Sequence, residues 1–520
     1  MLPELFARGK MRQSHTSSGS LKVCRNMIIV GTVVSCMSLF AGTGHGFALP
    51  KDVEQLHLRR DDAIKMAVLK NIDLRVESLN LAMSQTDVAR SRAIYDTIFS
   101  ASSNGGMSYV PGDPFFLSKN STSTIGVTQY LPTGGSIAAS TQTGFTTAET
   151  GLAGSATTDW QSSVGITLTQ PILKNAGKET WELGITLAAN SLQDSMERLR
   201  FLNADTVSSV ISTYNHLYSL RQNLEFRTAA MKSSLDFLDE LKKRKNPGAL
   251  QKMEIANTEY AIAQRRKDLV DAQRNVSDQE AALRFLIGLE SKARIDPLDG
   301  PSREEPKETE EQAINAALEF RSDLKQLKMA LKSSQLQEKV SRHQTLADLS
   351  LTASGGLSGT SDSFGKSFSQ IGDHPTRFWT AGLQFSYPLG NTAADNDYRK
   401  SRIRTEQVQA QIKALSWKIQ NDVESDLRAL ISARLQIQTA DVSLLYAGQR
   451  LVEYRKNNRL GTATVQDVIN AENDQTNARN AQMDALETFS NAVTKLWRDS
   501  GVLLDRHGVH IDQEKGNKPK

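Results

Sequence analysis

The chain has 520 residues, with 62 Lys and Arg against 58 Asp and Glu, and a mean hydropathy of -0.41. A membrane-spanning helix needs roughly 20 mostly apolar residues, and a single apolar run in the chain approaches that length. A polytopic helical membrane protein is therefore excluded. If this protein crosses a membrane, it must use strands. The net charge of +4 lies in the segment Met1 to Ala48, so the remainder is neutral and no basic nucleic-acid surface is implied.

The segment Met1 to Ala48 has the three parts of a secretory signal peptide. A basic stretch ends at Arg25, an apolar stretch covers residues 27–41, and small residues precede Ala48. We expect cleavage after Ala48. The alternatives are an uncleaved membrane anchor and a lipoprotein signal in which Cys36 carries the lipid. Because both cysteines of the chain lie in this segment, the mature protein is expected to have no disulfide and no cysteine metal site.

The rest of the chain contains two copies of one plan. Sliding the sequence along itself superimposes matching positions in the same order and at nearly the same offset: Ala63, Ile64 and Ala67 on Ala313, Ile314 and Ala317, then Pro171 on Pro388, then Gly248 on Gly461. We therefore predict a first structural repeat over 49–295 and a second over 309–504. Residues 296–308 are rich in proline and charge and are predicted to be a linker, and residues 505–520 a disordered tail.

Very long helices are predicted in each repeat. Residues 178–244 contain no proline, and a helix of that length would be roughly 100 Å long at 1.5 Å per residue. Mostly apolar residues recur every three or four positions, as in the seam of a coiled coil: Val207, Ile211, Tyr214 and Tyr218 in the first repeat, and Val423, Leu427, Leu430, Arg434 and Ile437 in the second. We therefore predict long helical hairpins over about 178–290 and 393–501.

Between the helices the hydrophobic period changes to two, which predicts strands over about 97–170 and 348–388. The last of these segments has an apolar face, made of Trp379, Leu383, Phe385 and Tyr387, and a polar face. Alternating strands of about ten residues are typical of an outer-membrane barrel with its apolar side towards lipid, and the alternative is a soluble β-sandwich. Because helices long enough to cross a cellular compartment interrupt the strands, we favour the barrel, with these four residues facing lipid.

Taken together, these features resemble the TolC-like outer-membrane efflux proteins. The residues that carry the resemblance are the paired helix openings at 63–67 and 313–317, the strand ends at 168–171 and 385–388, and residues 460–472, Leu-Gly-Thr-Ala-Thr-Val-Gln-Asp-Val-Ile-Asn-Ala-Glu. The resemblance implies a mainly α protein with transmembrane β: antiparallel coiled-coil helices form a periplasmic α-barrel, and three chains each contribute about four strands to one shared β-barrel. Six β-segments are visible here, so the hairpin around Pro132 would be either an additional loop or two more strands.

The resemblance also implies a function. The chain is expected to be a passive, non-enzymatic channel of the outer membrane, the exit component of a tripartite efflux or type I secretion system. Expected partners are two further copies of the chain, a periplasmic adaptor, an inner-membrane pump and outer-membrane lipid, with no nucleic acid, cofactor or metal. The main alternative is a periplasmic coiled-coil adaptor or structural rod without a pore.

By the same resemblance, the turns of the long hairpins lie at the periplasmic tip, where the adaptor docks and the tube narrows. The tip residues are Gly248, Leu460, Gly461 and Thr462, the pore-aperture residues are Asp467, Glu254 and Asn470, and the strand-to-helix transitions are at Pro171 and Pro388. Three inward-facing copies of Asp467 would attract cations and raise one another's pKa. The alternative is that Asp467 and Glu254 stabilise the N-termini of their helices.

The sequence contains no enzyme signature. Gly365, Lys366 and Ser367 end like a phosphate-binding loop, but the spacing to Gly359 is one residue too long for that motif. We assign this Gly/Ser-rich stretch to a loop at the membrane edge. The main hypothesis is therefore a conduit that binds nothing covalently.

Overall fold

The computed structural model describes residues 55–112, 116–150, 157–243 and 249–509. The predicted signal peptide with Cys36 lies outside these residues, as do Gly248 and most of the predicted tail. Within the described ranges, no helix is long and apolar enough to cross a membrane.

The first half of the chain contains two helices, four long strands and a helical hairpin. Its elements are β1 Gln55–Leu58, α1 Arg60–Lys70, α2 Ile72–Arg92, a short 3-10 helix Ala93–Tyr95, β2 Ile98–Val110, β3 Phe116–Tyr130, β4 Ser136–Thr150, β5 Thr157–Pro171, α3 Lys178–Trp181, α4 Leu183–Lys243, α5 Ala249–Leu286 and β6 Arg294–Pro297. Helix α4 has 61 residues, which corresponds to about 92 Å. The long helix predicted from residue 178 is therefore present, with its first turn separated as α3.

The second half contains the same order of two helices, strands and a long hairpin. Its elements are α6 Glu310–Phe320, α7 Ser322–Gln344, β7 Asp348–Ser361, α8 Phe364–Asp373, β8 Thr376–Ser386, α9 Thr392–Arg459, α10 Val465–Asp499 and α11 Leu503–Arg506. Two segments differ from the sequence prediction. The loop expected around Lys366 is helix α8, and α11 enters the predicted tail, where Val509 packs against the core.

All six long strands join one antiparallel sheet in the order β2-β3-β4-β5-β7-β8. The expectation of about four strands is therefore wrong for the described chain, because the hairpin around Pro132 is part of the sheet. Strand β3 pairs with β2 from Phe116 to Thr128 and with β4 along its whole length. The turn between β3 and β4 is closed by a hydrogen bond of 2.8 Å from the Leu131 amide to the Gly135 carbonyl oxygen.

The two faces of the sheet differ in polarity. The register places Val164 beside Leu357, and Leu351 beside Leu383, on one face, which we call the apolar face. The opposite face carries mainly Ser, Thr, Asn, Gln and Gly, for example along β3 and β4. Successive side chains of a strand point to opposite sides of the sheet. The alternation of apolar and polar residues in the sequence therefore gives the sheet one apolar and one polar face.

The coiled-coil stripes form the helical core. Val207, Ile211 and Tyr214 are buried, and the Tyr214 hydroxyl donates a hydrogen bond of 2.8 Å to the Leu58 carbonyl oxygen. In the second half the predicted seam position of Arg434 is wrong. This side chain is exposed and forms an ion pair with Glu305, since a guanidinium gains more from water and a carboxylate than from an apolar seam, and the neighbouring Ala433 is buried instead.

Short β1 and β6 pair in parallel and connect the start of the described chain to the end of the first half. The last residues of β6 belong to the predicted linker, which continues without helix as far as Thr309. There Thr309 and Gln312 form a capping box that begins α6. The fold class predicted from the sequence, mainly helical with an antiparallel sheet, is confirmed.

Candidate functional site

The turn of the second hairpin is built around one glycine. Helix α9 ends at Arg459, and Gly461 has a φ of 76°, a conformation that favours glycine. The Thr462 amide donates to the Asn457 carbonyl oxygen at 2.9 Å, and the Asn458 side-chain amide donates to the Ala463 carbonyl oxygen at 3.0 Å. These bonds satisfy backbone groups at the end of the helix, and Leu460 remains exposed at the surface of the turn.

Asp467 lies in the first turn of α10, where it forms a capping box with Thr464. Its carboxylate accepts hydrogen bonds from the Thr464 amide at 2.9 Å and the Thr464 hydroxyl at 2.6 Å, and its own amide donates to that hydroxyl oxygen at 3.2 Å. The bond from the Thr464 side chain, followed by the bond from its backbone, lowers the pKa of Asp467. The helix-stabilising role is therefore present, and a ring of three copies stays a prediction.

The other two predicted aperture residues lie on separate hairpins. Asn470 is exposed, and its side-chain oxygen accepts a hydrogen bond of 3.0 Å from Gln466. Glu254 is partly exposed in α5. Among the described residues, no hydrogen bond or ion pair joins Glu254 to Asp467. At this level the hairpins meet through apolar residues, with Ile255 packed against the cluster that includes Val465.

A largely buried charged cluster, which the sequence did not predict, joins the two hairpins. The carboxylate of Glu472 lies 2.8 Å from a guanidinium nitrogen of Arg265 and 2.6 Å from one of Arg455. Ser233 contributes a hydrogen bond of 3.1 Å to the same carboxylate, and Arg265 also donates to Asn473 at 3.1 Å. We call Arg265, Arg455 and Glu472 the hairpin clamp, because Arg265 belongs to the first hairpin and the other two residues to the second.

No local signal in the sequence could have identified this hairpin clamp. Arg265 and Glu472 are 207 positions apart, and both lie in helices whose exposed faces are rich in charge. Glu472 does stand out in one respect, since it falls in the stretch 460–472 that resembles a known family. Its side chain is only 8% exposed, and burial of an acid requires a paired cation.

The two prolines lie where strand gives way to helix. Pro171 is the last residue of β5, and the pairing with β7 continues beyond it through a hydrogen bond of 2.8 Å from the Ile172 amide to the Leu349 carbonyl oxygen. Pro388 accepts a hydrogen bond of 3.1 Å from the Asn391 amide in the turn that leads into α9. Asn391 adopts the left-handed conformation there. Pro171 thus ends a strand and Pro388 precedes a long helix, and a functional role for either transition stays a prediction.

The aromatic and apolar residues of β8 are exposed. The exposed fractions are 80% for Trp379, 68% for Leu383 and 67% for Phe385, all on the apolar face, and Tyr387 directly follows the strand. Large exposed apolar surfaces mark interaction sites with lipid or protein. Lipid contact by these residues stays a prediction. In the described part of the chain, no three His, Cys, Asp or Glu side chains form a group that could hold a metal ion.

Comparisons with known proteins agree with this geometry. Residues 313–501 match the family model described as outer membrane efflux protein. No curated protein matches the chain.

Several solved structures have the same fold. The chain is similar to CusC, whose structures are described in terms of folding and transmembrane channel formation, with 14% identity and a TM-score of 0.64 over 88% of this chain and 96% of that one. It is similar to the outer membrane protein VceC of Vibrio cholerae, with 14% identity and a TM-score of 0.62 over 85% and 96%. The Campylobacter jejuni CmeC outer membrane channel shares 15% identity, with a TM-score of 0.61 over 85% and 86%.

Proposed function

We propose that three copies of this chain assemble into a passive conduit from the periplasm to the exterior. The premise is that the chain is a TolC-like outer-membrane efflux protein, located in the outer membrane with a periplasmic helical extension. The observation that carries the proposal is the state of the two sheet edges. Every residue of β2 and every residue of β8 is exposed, although the sheet between them is fully paired.

Exposed edges are costly in lipid. Each unpaired backbone group in the hydrocarbon region costs several kcal/mol, so strands that span a membrane must close into a barrel. In a sheet of six antiparallel strands the first and last run in opposite directions, so β8 of one copy can pair antiparallel with β2 of the next. Copies arranged in a ring would close the sheet and leave no edge.

The same arrangement gives the conduit its lining. With the apolar face towards lipid, the Ser- and Thr-rich face would line the lumen, as in outer-membrane barrels with a polar interior. Helices α4 and α9, at about 92 and 102 Å from their 61 and 68 residues, would extend the tube through the periplasm. A periplasmic adaptor would dock at Leu460, Gly461 and Thr462, and an inner-membrane pump would supply the energy for efflux or type I secretion.

The aperture is proposed to lie at the first turn of α10. Asp467 is ionised at neutral pH, since the ordinary pKa of 3.8 is already acidic and hydrogen bonds from Thr464 lower the pKa of Asp467 further. Three symmetry-related copies would place three negative charges around one opening, and rings of acids favour cations.

Single-channel recording in planar bilayers tests the conduit and its aperture together. The wild-type protein is expected to form cation-preferring channels, and Asp467→Asn, which removes the three charges, is expected to reduce that preference. Thr464→Ala is the matched control, because it removes the cap and keeps the charge, and it should retain the preference.

The outcomes separate the two parts of the proposal. If Asp467→Asn forms channels with an unchanged ion preference, Asp467 does not line the aperture, and the proposed conduit is not contradicted. A protein that inserts into bilayers without conducting would overturn the conduit and favour a rod or adaptor.

A further inference from the structure

Helix α8, in the connection between β7 and β8, lies flat against the sheet. The Ser367 hydroxyl is 2.9 Å from the Ser162 hydroxyl of β5, and both side chains are fully buried. Gly359 of β7 leaves room for the helix, since a Cβ at this position would come within 2.2 Å of the Ser367 carbonyl oxygen. The Gln370 side chain also accepts a hydrogen bond of 2.9 Å from the Thr360 amide. The helix is therefore docked on the strands.

The register shows which face of the sheet the helix covers. Ser162 and Gly359 are paired, and the next pair on the same side is Val164 with Leu357. Trp160 is on that side too, and its ring lies 5.7 Å from the ring of Phe364. Helix α8 therefore covers the apolar face, whose outward end would otherwise expose Ser162.

One flank of α8 is aromatic, since Phe364 and Phe368 lie about 60° and 100° around the helix from the sheet-facing Ser367. Phe364 and Phe368 are 50% and 47% exposed, and their rings continue a row that begins in the strands. The ring centroids are separated by 5.0 Å from Phe145 to Trp160 and by 6.2 Å from Phe364 to Phe368. Ser369 is exposed on the opposite side of the helix from Ser367. The helix thus replaces a polar patch of the sheet with a partly exposed aromatic surface.

We infer that α8 is an interfacial helix, which rests in the outer-leaflet boundary of the membrane with Phe364 and Phe368 in contact with lipid. This inference rests on the proposed barrel, because that barrel directs the apolar face towards lipid. Aromatic residues and amphipathic helices both favour the boundary between hydrocarbon and head groups.

The spacing of the aromatic residues agrees with a membrane. Phe385 pairs with Leu349, and Trp160 pairs with Ser361, so the two aromatic levels are separated by the stretch of β7 from Leu349 to Ser361. At about 3.3 Å per residue and a tilt of about 35–45°, this stretch covers roughly 28–32 Å along the membrane normal. Outer-membrane barrels have an apolar band about 25 Å tall between two aromatic girdles. Helix α8 would complete the outer girdle.

Lipid is a better match than a protein partner for the exposed aromatic surface of α8. The aromatic row is continuous with the apolar face of β5 and β7, and that face is the one the barrel turns to the membrane. The rings of Phe364 and Phe368 remain about half exposed in a helix that is already docked, which is suited to a fluid neighbour.

Site-directed spin labelling tests this placement in reconstituted proteoliposomes. A nitroxide is attached to Phe368→Cys in a background in which Cys24 and Cys36 are replaced by serine, and its collisions with oxygen, which concentrates in lipid, are compared with those of a water-soluble nickel chelate. Gln384→Cys is the control, because Gln384 is exposed on β8 and pairs with Ser350 on the polar face of the sheet. The oxygen-to-nickel ratio is expected to be several-fold higher at 368 than at 384.

Two further labels make every outcome decisive. Phe364→Cys repeats the test if the first variant does not assemble, and Leu383→Cys reports on the barrel itself. A high oxygen-to-nickel ratio at 383 together with a low ratio at 368 would contradict the interfacial helix but agree with the barrel. A label at 368 that neither reagent reaches would show a protein neighbour and overturn it too. Aqueous signals at both 383 and 368 would contradict the barrel as well.

Discussion

At the scale of single residues, the buried acid Asp426 of α9 has a consequence for pH dependence. Its side chain is 1% exposed and lies 2.7 Å from the Lys495 ammonium. Burial, together with the nearby Asp499 carboxylate, raises the pKa of Asp426 to about 6 despite the opposing effect of Lys495. The folded protein therefore retains a proton on Asp426 at pH values where the unfolded chain, with the ordinary pKa of 3.8, has lost it.

Between about pH 4 and pH 6 the folded state binds more protons than the unfolded state, so the free energy of unfolding falls as the pH rises. The stabilisation by this proton is therefore complete below about pH 4 and is lost as the pH rises through about 6. Asp426→Asn should remove this part of the pH dependence and should be at least as stable as the wild type at pH 7. Thermal unfolding of the detergent-solubilised protein at pH 5 and pH 7 measures it. Glu424 is a partly exposed acid on the same helix, so Glu424→Gln should retain the wild-type slope. An equal slope in Asp426→Asn would contradict the assignment.

Residue roles could be predicted from the sequence where they depend on near neighbours. The first-turn position of Asp467 already allowed a helix-stabilising role, and Thr464, three residues earlier, supplies the partner. Roles that depend on distant parts of the chain could not be predicted. Asp426 meets Lys495 only because α9 and α10 fold back on each other.

At the scale of elements, the hairpin clamp is expected to hold the two hairpins together. Glu472→Gln would leave the 10% exposed Arg265 without its carboxylate partner, and breaking a buried ion pair costs about 3–5 kcal/mol. We expect a lower unfolding temperature and faster proteolysis near the turns of both hairpins.

An exposed pair on the same hairpin provides the control. Glu453 and Lys456 are more than half exposed and 3.9 Å apart, and exposed pairs contribute about 0–1 kcal/mol. Glu453→Gln should therefore leave unfolding and proteolysis close to wild type. Equal effects of the two substitutions would show that the hairpin clamp has no special role.

The periodic elements were the predictable ones. Strands β5, β7 and β8 and helices α4 and α9 follow from periods of two and about 3.5 that persist along each element. Helix α8 was missed because its Gly and Ser content suggested a loop, although Phe364, Phe368 and Ile371 recur at spacings of four and three. Its main contact, from Ser367 to Ser162, is 205 positions away, so no local pattern could indicate that a helix would dock there.

At the scale of the whole molecule, the sequence predicted the order of elements and left the size of the barrel open. Six β-segments were visible, but alternation within a segment does not reveal its neighbours. Pairing of β3 with both β2 and β4 decides that the extra hairpin belongs to the sheet. The number of strands in the assembly then depends on how many copies close the ring.

Three copies with six strands each predict a barrel of about eighteen strands, where the family pattern of four would give about twelve. Because barrel diameter grows roughly linearly with strand number, the lumen should be about 1.5 times as wide. Electron microscopy of the detergent-extracted particle should show three chains, a barrel of that size and a long tube; a monomer or a solid rod would contradict the assembly.

A deletion tests the contribution of the extra hairpin. Strand β2 ends, and β5 begins, at the same end of the sheet, since β2 to β5 are consecutive antiparallel strands. Removing residues 113–156 would therefore join β2 to β5 through a short turn and leave an antiparallel sheet of four strands. If β3 and β4 belong to the barrel wall, the variant should form a narrower particle with about twelve strands and a lower single-channel conductance. If the hairpin instead lies outside the wall, barrel width and conductance will be the same in the variant and the wild type.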